Sequence, residues 1–170
     1  MSSILPYKNH LPRLNPSVFI ADGARIIGDV EIGEDSSIWF NAVVRGDIHF
    51  IRIGSRTNIQ DNCVLHVTTG THPCIVGNGV TVGHRAILHG CTVHDNVLIG
   101  MGSIVMDAAV VNSFSLVAAG ALVPPGMIVP EGVLVAGVPA KIIRPLRSAE
   151  RESILFSSGH YCDIVAGYRE

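Results

Sequence analysis

Three histidines, His66, His84 and His89, carry the chemistry most directly legible in this chain. Neutral imidazoles suit zinc, ferrous iron, cobalt and nickel alike. Three of them around one ion leave a coordination position open, which marks a catalytic rather than a structural site. Such an ion lowers the pKa of bound water to about 7 and so supplies hydroxide at neutral pH to an electrophilic carbonyl. Arg45, Asp47, Asn58, Gln60 and Asp61 precede the histidines and offer groups to orient ligands or hydrogen-bond a bound molecule. His10, His49, His94 and His160 read as ordinary surface histidines, and His72 stands between the two classes as a potential proton carrier.

What must position these side chains is a repeat. Isoleucine or valine recurs every sixth residue from Val93 through Ile99, Val105, Val111, Val117, Val123 and Val129 to Val135. The same period runs through Leu14, Ile20, Ile26, Ile32, Ile38 and Val44. Six matches neither a helix nor a simple alternating strand, and it is a signature of parallel β-helices. A small or β-branched residue follows each aliphatic by four places, as at Ala42, Cys63, Ala86 and Ser103. Each unit is therefore a flat strand and a tight corner, three units make one triangular coil, and successive coils pair at about 4.8 Å. The expected fold is an all-β solenoid, a left-handed parallel β-helix over residues 1–146. A C-terminal helix over 147–170 should lie along its outside. Ser148 is the expected helix cap, Glu150 and Glu152 suit its N-terminal end, and Ile154, Leu155, Tyr161, Cys162, Val165 and Tyr168 form its apolar stripe. Gly159 marks a place where it can break.

The register is interrupted three times, between Val44 and Ile53, Leu65 and Val76, and Leu88 and Val93. Read as corners changed in length, the interruptions put Val44, Leu65 and Leu88 on one face of successive coils. Arg45, His66 and His89 then point outward in a column about 5 Å apart, close enough for two imidazoles to share an ion. Asp61 and His84 share the next face. His84 need not converge with the other two in its own subunit, and a cyclic trimer is expected to bring a neighbour's His84 to the face carrying His66 and His89. Arg45, Asp47 and Asp61 would form a salt-bridge network between subunits, and Gln60 would hydrogen-bond water or substrate.

Composition narrows the classes. The chain has 170 residues, 15% charged, with a formal net charge of -2 and no basic cluster, which argues against nucleic acid. Residues 108–130 carry no charge, yet they keep the six-residue period and contain Pro124-Pro125-Gly126, so covered solenoid faces explain them better than a membrane span. The first 17 residues do not resemble a secretory signal, and the four cysteines lack C-x-x-C spacing, so a cytoplasmic protein with reduced thiols is expected.

Arg45-Gly46-Asp47, Asn58-Ile59-Gln60-Asp61-Asn62, Val64-Leu65-His66, Gly83-His84-Arg85 and Leu88-His89-Gly90, set on hexapeptide repeats, resemble the γ-class carbonic anhydrases and their short bacterial branch, also called hexapeptide transferase family proteins. The resemblance implies reversible hydration of carbon dioxide to bicarbonate in a homotrimer. It assigns His66, His84 and His89 as ligands of zinc, iron or cobalt between subunits, with Gln60 near bound water, Arg45 and Asp61 paired across the interface, and Tyr161 overhanging the site. The family's archaeal members carry a Glu after the Arg-x-Asp unit and an acidic proton-carrying loop. Here Ile48 and the carboxylate-free segment from Val67 to Cys74 replace them, leaving His72, buffer or slow turnover. The alternatives are a hexapeptide acyltransferase using acyl-coenzyme A, a metal-dependent thioester hydrolase, and a metal-binding scaffold.

Overall fold

In the computed structural model, which describes residues 3–169, the chain is a parallel β-solenoid of about 7 turns followed by one helix. Met1, Ser2 and Glu170 of the expected segments lie outside the described residues. Strand pairing reproduces the repeat register. Ile26 lies opposite Val44, Val44 opposite Leu65, Leu65 opposite Leu88, and Leu88 opposite Val105, so these side chains form one inward column. A second column runs through Ile32, Ile53, Val76, Val93 and Val111, and a third through Ile38, Ile59, Val82, Ile99 and Val117. Nearly all are fully buried, and together they are the core. The small inward positions between them carry hydroxyls that bond the coil above. Ser36 Oγ donates to Gly54 O at 2.7 Å, and Thr57 Oγ1 donates to Gly77 O at 2.8 Å, which removes the penalty of burying them.

The irregular corners differ from one another. The first two faces are one continuous twelve-stranded sheet, because Arg25–Ile32 and Val43–Ile53 run around the corner between them as single bent strands. The insertion after Val44 is therefore extended backbone. The insertion after Leu65 is a loop closed by a bridge between Thr68 and His72. The shortened corner after Leu88 is made by Gly90 at φ +56°. On the third face Lys141–Pro145 turns back antiparallel onto Val133–Ala136 and covers the last open edge.

The helix, α1 (Ser148–Gly167), descends the third face from the last coil towards the first. Its first residue is Ser148, and the cap is Arg147. The expected cap is one residue late because Glu150 reaches back to accept the Arg147 N–H at 2.8 Å while holding Arg144 through both carboxylate oxygens. The Arg144 hydrogen bond pulls the Glu150 carboxyl down to about 2. The helix continues through Gly159 without a break, since its buried face, not local propensity, holds it. That face is Ile154, Ser158 and Val165, flanked by Tyr161 and Cys162, whereas Leu155 lies off it and is half exposed. Trp39, buried with Nε1 donating to Ser37 Oγ at 2.9 Å, packs on Phe19, Tyr161 and Tyr168 at centroid distances of 5.3, 5.4 and 5.5 Å. This aromatic cluster pins the lower half of the helix.

Candidate metal centre

His66 and His89 end the strands Val64–His66 and Ile87–His89 and lie opposite each other in adjacent coils. Their rings meet with His66 Nδ1 3.1 Å from His89 Nε2. Each remaining nitrogen faces a carboxylate, His66 Nε2 at 3.1 Å from Asp47 Oδ1 and His89 Nδ1 at 2.6 Å from Asp107 Oδ1. Burial works to raise both carboxyls, but hydrogen bonds outweigh it, from Arg45 and His66 at Asp47 and from His89 and Thr68 at Asp107, so both lie below the ordinary value. Ionised carboxylates only accept, so the nitrogens facing them carry the protons. Burial lowers the His66 pKa, with Asp47 only partly opposing it, so His66 is held neutral. The two nitrogens left over, His66 Nδ1 and His89 Nε2, face each other 3.1 Å apart, a separation that accommodates either a shared proton or a cation held between them.

His84 occupies the corner of Gly83-His84-Arg85, directly above the corner carrying Asp61, whose Oδ2 is 2.7 Å from His84 Nδ1. It lies on a corner rather than on the face itself. Each of the three histidines thus has one ring nitrogen held by its own aspartate, the pattern by which carboxylates fix metal-binding imidazoles. The donor types, imidazole nitrogens backed by carboxylates, are of the kind that suits a divalent transition ion. Within one subunit, however, the described residues contain no group of three His, Cys, Asp or Glu side chains that could hold an ion. His84 lies in the turn that precedes the strand Ile87–His89, five residues before His89.

The structure divides the other residues singled out from the sequence between the His66–His89 pair and the His84 corner. Arg45 lies beside His66, with Nη1 2.5 Å from Asp47 Oδ2. Gln60, Asn58 and Tyr161 lie on the His84 side. Gln60 is buried, accepts the His84 N–H at 3.2 Å and donates to Asn58 Oδ1 at 3.1 Å. Asn58 continues to Thr81 Oγ1 at 3.0 Å, and Thr81 to Ser157 Oγ of α1 at 3.0 Å. This chain of bonds locks the His84 corner to the helix. Tyr161 shares with Gln60 and His84 a largely apolar cleft of about 420 Å³, also lined by Leu98, Met101 and Leu116. Burial raises the Tyr161 pKa, reinforced by the charge of Asp61, so it remains a neutral hydroxyl. His72 lies over Gly90, and the exposed His10, His94 and His160 stand on the surface as expected.

Sequence reasoning missed Asp107. Spacing gave only a partial signal: the coil from Leu88 to Val105 is 17 residues long, so Asp107, 18 residues after His89, lies one place past strict register. The cysteines are free thiols, three of them buried, and burial pushes the Cys63 thiol up to about 12.

A family model described as bacterial transferase hexapeptide (six repeats) matches residues 12–46. The chain is 52% identical over 143 residues to a carbonic anhydrase of Geobacillus kaustophilus, covering 84% of this chain and 78% of that protein. It is 43% identical over 162 residues to gamma carbonic anhydrase 1, mitochondrial, of Arabidopsis thaliana. That match covers 92% of this chain but 59% of the plant protein, so the chain spans less than two thirds of that relative's length. Among solved structures, a hexapeptide transferase family protein from Anaplasma phagocytophilum superposes with a TM-score of 0.93 at 45% identity, covering 97% of both chains. At this identity and coverage, the chain belongs to the γ-class carbonic anhydrase-like family of hexapeptide-repeat proteins.

Proposed function

We propose that the chain is a metal-dependent carbonic anhydrase that interconverts carbon dioxide and bicarbonate at sites shared between subunits of a homotrimer. The observation that carries this reading is the pair of facing ring nitrogens of His66 and His89, 3.1 Å apart, each with its partner nitrogen tied to a carboxylate. His66 and His89 of one subunit and the partner subunit's His84 would hold the ion, Zn2+ by expectation, with Fe2+, Co2+ or Ni2+ compatible with the same donors. When bound, the ion supplies a Lewis acid that brings the ionisation of water close to neutrality and stabilises negative charge on the substrate.

The chain's own residues do the rest. Asp47, Asp61 and Asp107 hold the ring N–H groups. Arg45 is partly exposed beyond its contact with Asp47 and is free to meet the partner's Asp61. The outward side chains of the first face, Val43, Val64, Ile87, Ile104 and Leu122, are an uncharged column suited to burial against another subunit. Gln60 and Tyr161 border the apolar cleft beside His84, which suits a small, uncharged, apolar substrate. No carboxylate stands at position 48, so proton export falls to His72 or to buffer.

Acyl transfer from acyl-coenzyme A is the second reading, favoured by the transferase names of the matching repeat model and the Anaplasma protein. Side-by-side assays of the metal-reconstituted protein separate the two. Carbon dioxide hydration that disappears on chelation, without acetyl transfer to amine or hydroxyl acceptors, is expected. Acetyl transfer without hydration would overturn the proposal, and thioester hydrolysis alone would place the same metal in a hydrolase.

A further inference from the structure

We propose that Asp107, braced by Thr68 and admitted by Gly90, is the positioning residue that fixes the tautomer and orientation of His89, so that Nε2 is the nitrogen presented to the ion. The inference rests on the metal-site reading above and adds a residue that lies 18 positions beyond His89.

Three observations carry it. Asp107 uses its two oxygens separately, Oδ1 at 2.6 Å from His89 Nδ1 and Oδ2 accepting from Thr68 Oγ1 at 3.1 Å. With both oxygens engaged the carboxylate has one orientation, and a ring that donates to it has one tautomer. The approach also depends on glycine: a Cβ built on Gly90 would lie 2.3 Å from Asp107 Oδ1 and 2.8 Å from His72 Cβ. Gly90 therefore serves the approach of the carboxylate as well as the shortened turn. Finally, the coil register makes the contact structural rather than incidental, since Ala108 N donates to Gly90 O at 2.8 Å and clamps the Asp107 corner directly over the His89 corner. Thr68 belongs to the loop inserted after Leu65, so the insertion has a role of its own, supplying the hydroxyl that holds Asp107 against His89.

A surface ion pair would predict none of this dependence on tautomer. Two readouts on the full-length protein test the role. In metal-free protein labelled with 15N-histidine, long-range proton–nitrogen spectra identify which ring nitrogen of His89 is protonated. His89 should carry its proton on Nδ1 in the wild type and in Asp107→Asn, whose amide oxygen still accepts, and populate both tautomers in Asp107→Ala. In chelator competition with Co2+ as the probe, Asp107→Ala should bind about 10- to 100-fold more weakly. Asp107→Asn should recover much of the loss, and Gly90→Ala should resemble Asp107→Ala. Subunit association and thermal midpoint, measured on each variant, identify any that fails to fold, in which case Thr68→Ala provides the milder displacement of the carboxylate. Wild-type tautomer and wild-type Co2+ affinity in Asp107→Ala would overturn the proposal. A wild-type protein that binds no Co2+ would instead refute the metal reading, and the tautomer of His89 in metal-free Asp107→Ala would still decide what Asp107 does.

Discussion

Mixing two inactive variants provides a quantitative test of where the third ligand comes from. His66 and His89 end strands of the first face and His84 lies in the corner before it, and among the described residues of one chain no three such side chains are grouped to hold an ion. If each site joins the His66–His89 pair of one subunit to the His84 corner of the next, a trimer of His66→Ala subunits has no complete site, and neither has a trimer of His84→Ala subunits. In a mixed trimer, a site is intact when a His84→Ala subunit supplies His66 and His89 and its neighbour, a His66→Ala subunit, supplies His84. Random reassembly of equal amounts makes each condition true half the time, so about one quarter of the sites should recover. The assay is co-refolding of the two variants, reconstitution with Co2+ and measurement of metal per subunit, with each variant refolded alone as the blank. Recovery near a quarter supports a shared site. Metal content no higher than the blanks, in mixtures shown to have exchanged subunits, would refute the inter-subunit arrangement.

Leu65→Ala opens a cavity in the inward column beneath His66 and should cost about 2–5 kcal/mol of stability in urea unfolding, while an unchanged midpoint would contradict the stacked core. The pH dependence follows from His66, whose folded pKa lies below the ordinary 6.5 because burial disfavours its charge. Its contribution is complete above 6.5 and is lost as pH falls from there through the folded value, so the thermal midpoint of metal-free protein should drop between pH 7 and 5 more steeply in the wild type than in His66→Ala; equal slopes would count against the shift. Asp47 and Asp107, both depressed below the ordinary 3.8, contribute above that value and lose their contribution as pH falls through their lower folded values, which should produce a second decline below pH 4 that Asp107→Asn softens. Ile48 is partly exposed and borders a cavity of about 400 Å³ next to Asp47, so Ile48→Glu should raise hydration turnover about tenfold if proton export limits the rate, and an unchanged rate would dismiss that bottleneck.

The solenoid was legible because its signal is redundant. Every coil repeats the same aliphatic and small positions, and the three breaks in period sufficed to put Leu65 over Val44 and His66 opposite His89. The site was legible where it followed that register and obscure where it depended on corners. Asp107 reaches His89 only because Gly90 shortens one corner and leaves room, a contact that strand alignment does not predict. Gln60 lines the cleft beside His84, and its bonds to the His84 backbone and Asn58, which the repeat pattern does not reveal, also tie it to that corner. The helix shows the same limit. Glu150 draws the cap back to Arg147, and Leu155, apolar by sequence, lies off the buried face because the stripe is set by what the solenoid presents, namely Trp39 and Thr81.

The most direct test of the central claim is stopped-flow carbon dioxide hydration on protein purified anaerobically, with metal content per subunit determined on the same sample. The account predicts about one metal per subunit, hydration that scales with occupancy, and loss of both in His89→Ala. Full occupancy without hydration in the wild type, or hydration that survives in His89→Ala, would contradict it.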